Sequence, residues 1–275
     1  MKLKIKLILL TILLNALCIT VFSQQTIRPL PKSKNTFIVI SHRGSHLIKP
    51  ENTIASIEEA IAIGADYVEL DLRTTKDGKL VLLHNDRVDQ VSNGKGLIKE
   101  MNFEEVKKLI LAGKDGSLHQ IASFEDALKV CKGKINIYLD FKAANVEETY
   151  KALKKLGMEN QVLVYVGGSN DYTSWRNVAP KIPLMSRLDK SITTKEDLLV
   201  ALAKTPLEAI DNIPNENLTP ILKTLGISIF LDVQKANETA EDWNKAIKHG
   251  VQGLQTDHPE ALIEYLKVNK IRTAL

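Results

Sequence analysis

Cysteine is nearly absent from this chain: two occur among 275 residues, Cys18 and Cys131. If Cys18 belongs to a removed leader, Cys131 stands alone, and an internal disulfide framework is excluded. An excess of one charge is also missing. Thirty-seven Lys and Arg against 33 Asp and Glu give a formal net charge of +4, and loss of Lys2, Lys4 and Lys6 with a leader leaves +1. That balance gives no electrostatic reason for a nucleic-acid or anionic-membrane partner. After the first 25 residues no apolar run approaches the roughly 20 needed to span a bilayer, so stable membrane insertion is not expected. There is no long Pro, Gly or Ser linker and no internal repeat, and the composition carries no mark of disorder.

What is present begins with three lysines, an apolar run over 7–22 and the small residue Ser23. This pattern predicts a secretory signal peptide over 1–23 and an exported protein, periplasmic or secreted. The remainder, 24–275, is expected to be a single domain of roughly 250 residues, the usual size of an α/β barrel. Its oligomeric state is not encoded in any pattern that we recognise.

Short aliphatic runs recur over 37–40, 67–72, 80–83, 135–141, 162–166, 184–188, 209–211, 227–233 and 253–256. Helical patterns alternate with them, which predicts a parallel sheet buried on both faces and a TIM-type (β/α)8 barrel. Thr53, Ser123 and Asn145 are expected helix caps, with stops at Gly64 and Gly157. Nine strands are one too many for eight staves. The odd one lies after Asp71, because the turn at Thr75, Lys76, Asp77 and Gly78 is too short for a parallel crossover, so the barrel should be irregular around strands 2 and 3. Residues after Asn269 are expected to fray.

In a parallel barrel the chemistry sits at the C-terminal strand ends. The first strand ends in His42 and Arg43, the second carries Glu69 and Asp71, the third ends at His84, and the fourth carries Asp140 and Lys142. Alternate residues share a face, so Glu69 pairs with Asp71, and Asp140 with Lys142. Carboxylates crowded into a barrel mouth repel unless a cation neutralises them, and hard oxygen donors favour Mg2+ or Ca2+ over zinc. His42 and His84 are the natural proton carriers. Arg43 and Lys142 are suited to phosphoryl oxygens, or to salt bridges with the adjacent acids.

These motifs resemble the glycerophosphodiester phosphodiesterase family. The resemblance rests on His42-Arg43-Gly44, Pro50-Glu51-Asn52-Thr53, Glu69-Leu70-Asp71, the Thr75 to Gly78 turn, His84 followed by Asn93-Gly94-Lys95-Gly96, Asp140-x-Lys142 and Thr256-Asp257-x-Pro259. It implies metal-dependent hydrolysis of a small phosphodiester, with Glu69, Asp71 and Asp140 holding the divalent cation. It further implies His42 and His84 as acid and base, and Arg43 and Lys142 as phosphate ligands. Asn52 either shapes the loop or reaches the metal.

Three positions depart from the family pattern: Asp140 stands for the usual Glu, Asn85 for the usual Asp, and Leu231-Asp232-Val233-Gln234 for an aromatic followed by Thr-Val-Asn. These departures keep open a non-catalytic barrel that binds a phosphate ligand, or another phosphodiesterase specificity such as a phospholipase. A glycoside hydrolase is disfavoured, because paired carboxylates across a sugar need neither two histidines nor Arg43 and Lys142.

Overall fold

The computed structural model describes residues 27–275, so the leader expected over 1–23 lies outside the described residues. In chain order the strands are β1 (Ile38–Ser41), β2 (Tyr67–Thr74), β3 (Leu80–Leu82), β4 (Leu111–Ala112), β5 (Leu118–His119), β6 (Asn136–Ala143), β7 (Val162–Val166), β8 (Leu184–Ser186), β9 (Ala209–Ile210), β10 (Ser228–Asp232) and β11 (Gly253–Thr256). Eight of them, β1, β2 and β6 to β11, pair in parallel, and β1 bonds to both β2 and β11, which closes the barrel.

Helices α1 (Ile54–Ala62), α2 (Phe103–Val106), α3 (Phe124–Cys131), α4 (Val146–Leu156), α5 (Ser169–Val178), α6 (Lys195–Lys204), α7 (Thr219–Thr224), α8 (Ala240–Lys248) and α9 (Pro259–Val268) fill the connections. Their starts follow from side-chain chemistry. Thr53, Ser123 and Asn145 accept the backbone N–H of Ser56, Asp126 and Glu148, satisfying amides that a first turn leaves free. Gly157 ends α4 in the left-handed region, where a side chain would be strained. No helix among the described residues is long and apolar enough to cross a membrane.

Two apolar layers follow from the alternation of strand side chains. Outward residues such as Val39, Leu70, Leu139, Val164 and Leu254 pack under the helices with Ile57, Leu128, Leu153 and Trp175. Inward residues Ile40, Tyr67, Tyr138, Leu163, Met185, Ala209 and Phe230 plug the bore. Each such aliphatic or aromatic side chain contributes about 2 kcal/mol of burial, so the bore is core rather than channel.

The ninth strand is a hairpin arm. β3 pairs antiparallel to β2, with Leu72 opposite Leu82 and Thr74 opposite Leu80. Because the arm runs back toward the barrel, Leu83 N–H reaches Asp71 O at 3.0 Å, and His84 returns to the level of the β2 carboxylates. His84 therefore follows an antiparallel arm rather than a barrel strand. The segment after it, up to α3, carries α2 and the β4/β5 hairpin over a separate apolar cluster of Val81, Leu83, Val88, Ile98, Val106, Leu111 and Ile121.

The C-terminal tail does not fray as its sequence suggests. Arg272 is 7% exposed and bonds to Asp66 at 3.1 Å and to Gly64 O at 2.7 Å, while Leu275 N–H donates to Lys34 O. Asp66 also accepts from Val39 N–H, Ser33 and Asn35. This network closes the N-terminal end of the barrel, where a recess of about 940 Å3 opens beside Lys32, Asp66 and Arg272. Removing one partner of a buried pair strands the other, so Arg272→Ala should cost about 3 kcal/mol, read as a lowered urea midpoint; an unchanged midpoint would contradict the clamp.

Candidate active site

Advancing two residues along each strand from the apolar plug reaches a second inward ring, since strand side chains alternate. Ile40, Tyr67, Tyr138, Leu163, Met185, Ala209 and Phe230 give way to His42, Glu69, Asp140, Tyr165, Arg187, Asp211 and Asp232. Gly253 on the eighth stave gives way to Gln255. Every barrel strand thus contributes a polar group at the same mouth.

On one side of the mouth Glu69, Asp71 and Asp140 each bring a carboxylate oxygen within 4.8 Å of the others. Glu69 and Asp71 are 2% and 1% exposed. Burial, and then the charges of Asp71 and Asp140, push the Glu69 carboxyl well above the ordinary carboxylate range, against the N–H and charge of Arg43. Burial raises Asp140 as well, against its bond to Lys142. Three crowded oxygen donors with unrelieved repulsion fit a hard divalent cation.

The loop after β1 is built around these acids. Arg43 adopts a left-handed backbone (φ 52°), costing about 1 kcal/mol, and its N–H donates to Glu69 Oε2 at 2.8 Å. Gly44 follows at φ 81°, where an added Cβ would lie 2.7 Å from the backbone of Ser56, so no larger residue fits. The Arg43 guanidinium spans Glu51 at 3.0 Å and Asp71 at 3.5 Å. Lys142 reaches Asp140 at 2.6 Å and Asp71 at 3.5 Å. Burial alone would lower the Lys142 ammonium, but its bond to Asp140 and the surrounding acids raise it, so it stays charged.

Asn52, also left-handed, clasps Asp71 from two sides: its amide donates to Oδ2 at 2.8 Å and accepts the Asp71 N–H at 3.1 Å. It orients a carboxylate, whereas the sequence left open a direct reach to metal.

The two histidines flank the acids. His42 Nδ1 bonds Asp257 Oδ1 at 2.6 Å, with Asp257 at the end of the neighbouring stave β11. Burial pushes the Asp257 carboxyl up, but the bond and charge of His42, with His46 and Arg43, more than offset it and hold it low. Glu238 fixes Asp257 in turn by accepting its N–H at 2.7 Å. His84 Nδ1 bonds Asn85 Oδ1 at 2.9 Å, its carbonyl is pinned by Arg73, and its ring acts electrostatically on Asp140. All seven residues singled out in the sequence therefore meet at one mouth.

Sequence reasoning passed over His46, the contact of Glu51 with Arg43 and the role of Asp257. His46 Nδ1 bonds the His42 carbonyl at 2.7 Å, and its Nε2 lies 3.5 Å from Asp257. The spacing of His42 and His46 was a usable signal, but Asp257 is 215 residues from His42 and becomes its neighbour only on barrel closure. Across the mouth, Arg187 forms two contacts to Asp211 at 3.0 and 3.3 Å, and Asp232 stands 3.8 Å from the same guanidinium. Burial, then Asp211, pushes the Asp232 carboxyl up to about 7.

Comparison with known proteins agrees with this geometry. A family model described as the glycerophosphoryl diester phosphodiesterase family matches residues 42–261. A glycerophosphodiester phosphodiesterase from Caldanaerobacter subterraneus is 32% identical over 84% of this chain and 98% of its own length. One from Bacillus subtilis is 25% identical over 83% and 86%. Among solved structures, a glycerophosphoryl diester phosphodiesterase from Parabacteroides distasonis superposes with a TM-score of 0.72 at 21% identity, covering 94% of this chain and 96% of that one. An Oleispira antarctica phosphodiesterase in complex with sn-glycerol-3-phosphate gives 0.71 at 20% identity, covering 84% and 96%, and shares the barrel fold. With the family match spanning most of its length, the chain belongs to the glycerophosphoryl diester phosphodiesterase family.

Proposed function

We propose that this enzyme hydrolyses glycerophosphodiesters with a divalent cation held by Glu69, Asp71 and Asp140 and with His42 and His84 as its proton carriers. The observation that carries this reading is the largely buried carboxylate triad between two oriented imidazoles at the mouth of the eight-stave barrel. When bound, the cation, Mg2+ or Ca2+, supplies positive charge for the non-bridging phosphoryl oxygens. Arg43 and Lys142 are free to exchange a carboxylate contact for the same oxygens.

The ring partners assign the protons. Asp257 and the Asn85 carbonyl oxygen are acceptors, so each Nδ1 carries hydrogen and each Nε2 faces the reaction. His42, oriented by its bond to the Asp257 carboxylate, donates to the departing alkoxide. His84 lies against a neutral amide and takes the proton from the attacking hydroxyl, whether of water or of the substrate's own neighbouring alcohol. Both histidines are retained, which favours turnover over the binding-only alternative. The lysine-flanked leader supports an exported enzyme, periplasmic or secreted.

Three outcomes test this scheme. Treatment with a chelator should abolish release of glycerol phosphate from a panel of deacylated and intact phosphodiesters, and added Mg2+ or Ca2+ should restore it; chelator-insensitive cleavage contradicts the metal assignment. His84→Ala should lower kcat by about 100-fold or more with an unchanged circular dichroism spectrum, and near-normal turnover would exclude His84 as a proton carrier. In Asp257→Asn, weakening of the contact that orients His42 should lower kcat by about 10- to 100-fold with KM little changed. An unchanged kcat would mean that Asp257 does not position His42.

A further inference from the structure

The half of the mouth facing the carboxylate triad has chemistry of its own. Tyr165, Arg187, Asp211, Asp232 and Gln255 are inward positions on five consecutive staves. Asp211 is matched by the two contacts from Arg187, so one acid and the one cation there are already paired. Asp232 has only a long contact to the same guanidinium, at 3.8 Å and beyond hydrogen-bond distance, and 30% of its side chain is open to solvent. Beside it in register stands Gln255, only 4% exposed, whose Oε1 has no hydrogen-bond partner. The terminal amide torsion of glutamine is soft, so this acceptor can turn toward a donor in the mouth. A surplus carboxylate and an unmet amide oxygen on adjacent strands call for a ligand group that brings both hydrogen and positive charge.

We propose that Asp232, with Gln255 beside it, selects a diester whose second alcohol carries a primary ammonium, the ammonium donating to Asp232 and to the Gln255 amide oxygen. This deepens the hydrolytic reading above and rests on it for the placing of the phosphodiester between the two halves of the mouth. Lys142 marks the boundary: it contacts Asp140 and Asp71 on the metal-binding side and still acts electrostatically on Asp232. In the proposed pose the phosphate sits at Lys142 and the second alcohol lies over the Asp232 side of the mouth.

The test compares kcat/KM of the full chain for two glycerol phosphate diesters, one of 2-aminoethanol and one of glycerol. The ammonium diester should be preferred by about tenfold or more, the usual worth of a charge-assisted hydrogen bond. Asp232→Asn should bring that ratio toward one, and Asp232→Glu should restore much of it. A wild-type ratio near one, or a ratio that Asp232→Asn leaves unaltered, overturns the proposal. Calorimetric binding of phosphoethanolamine against glycerol phosphate to the same proteins supplies a second readout. If neither diester is cleaved, the hydrolytic reading fails, while a preference for phosphoethanolamine that Asp232→Asn abolishes still supports the subsite and equal affinities still overturn it.

Discussion

Mutual repulsion among Glu69, Asp71 and Asp140 is the constraint around which the mouth is arranged. Burying three carboxylates this close is unfavourable unless charge and hydrogen bonds meet them from every side. Arg43 approaches from the loop after β1, Lys142 from β6 and Asn52 from the cap of α1, and each touches Asp71. The left-handed backbone at Arg43 and Asn52 is stabilised by the same contacts. The same contacts thus offset local strain and local repulsion together, and a bound cation would relax what remains.

The fold separates this strained end from the end that secures it. At the opposite rim Asp66 gathers Val39, Ser33, Asn35 and Arg272, joining β1, β2 and the C-terminal tail in one buried network. The bore between them is filled by Ile40, Tyr67, Tyr138 and Phe230. Rigid packing beneath the mouth fixes the directions of His42, Glu69 and Asp140, which are the next inward residues on their strands. Orientation of the side chains at the mouth is therefore a property of the staves, with the loops supplying the charges that balance them.

Much of this was legible in the chain. Strand patterning, the misfit ninth strand and the caps at Thr53, Ser123 and Asn145 are local properties, and local physics decides them. The seven site residues were legible because strand ends and period-two alternation are one-dimensional signals. Asp257 stands in the Thr256-Asp257-x-Pro259 motif, yet its bond to His42 exists only because β11 and β1 become neighbours when the barrel closes. The tail after Asn269 misled for a similar reason: nothing near Arg272 in sequence announces Asp66. Asn52 was placed in the right loop, but whether its amide meets an ion or orients Asp71 depends on distances that spacing does not encode.

The hairpin that returns His84 leads into a segment resting on its own apolar cluster, while the barrel ladders of β2 run to β1 and β6 without it. Such a segment can lengthen or shorten over generations without shifting the register of any stave. One of the two flanking histidines, His84, is thus delivered by an attachment to the barrel and the other, His42, by the frame itself. Changes of length there would accordingly reshape the rim beside His84 while leaving the carboxylates on β2 and β6 in place.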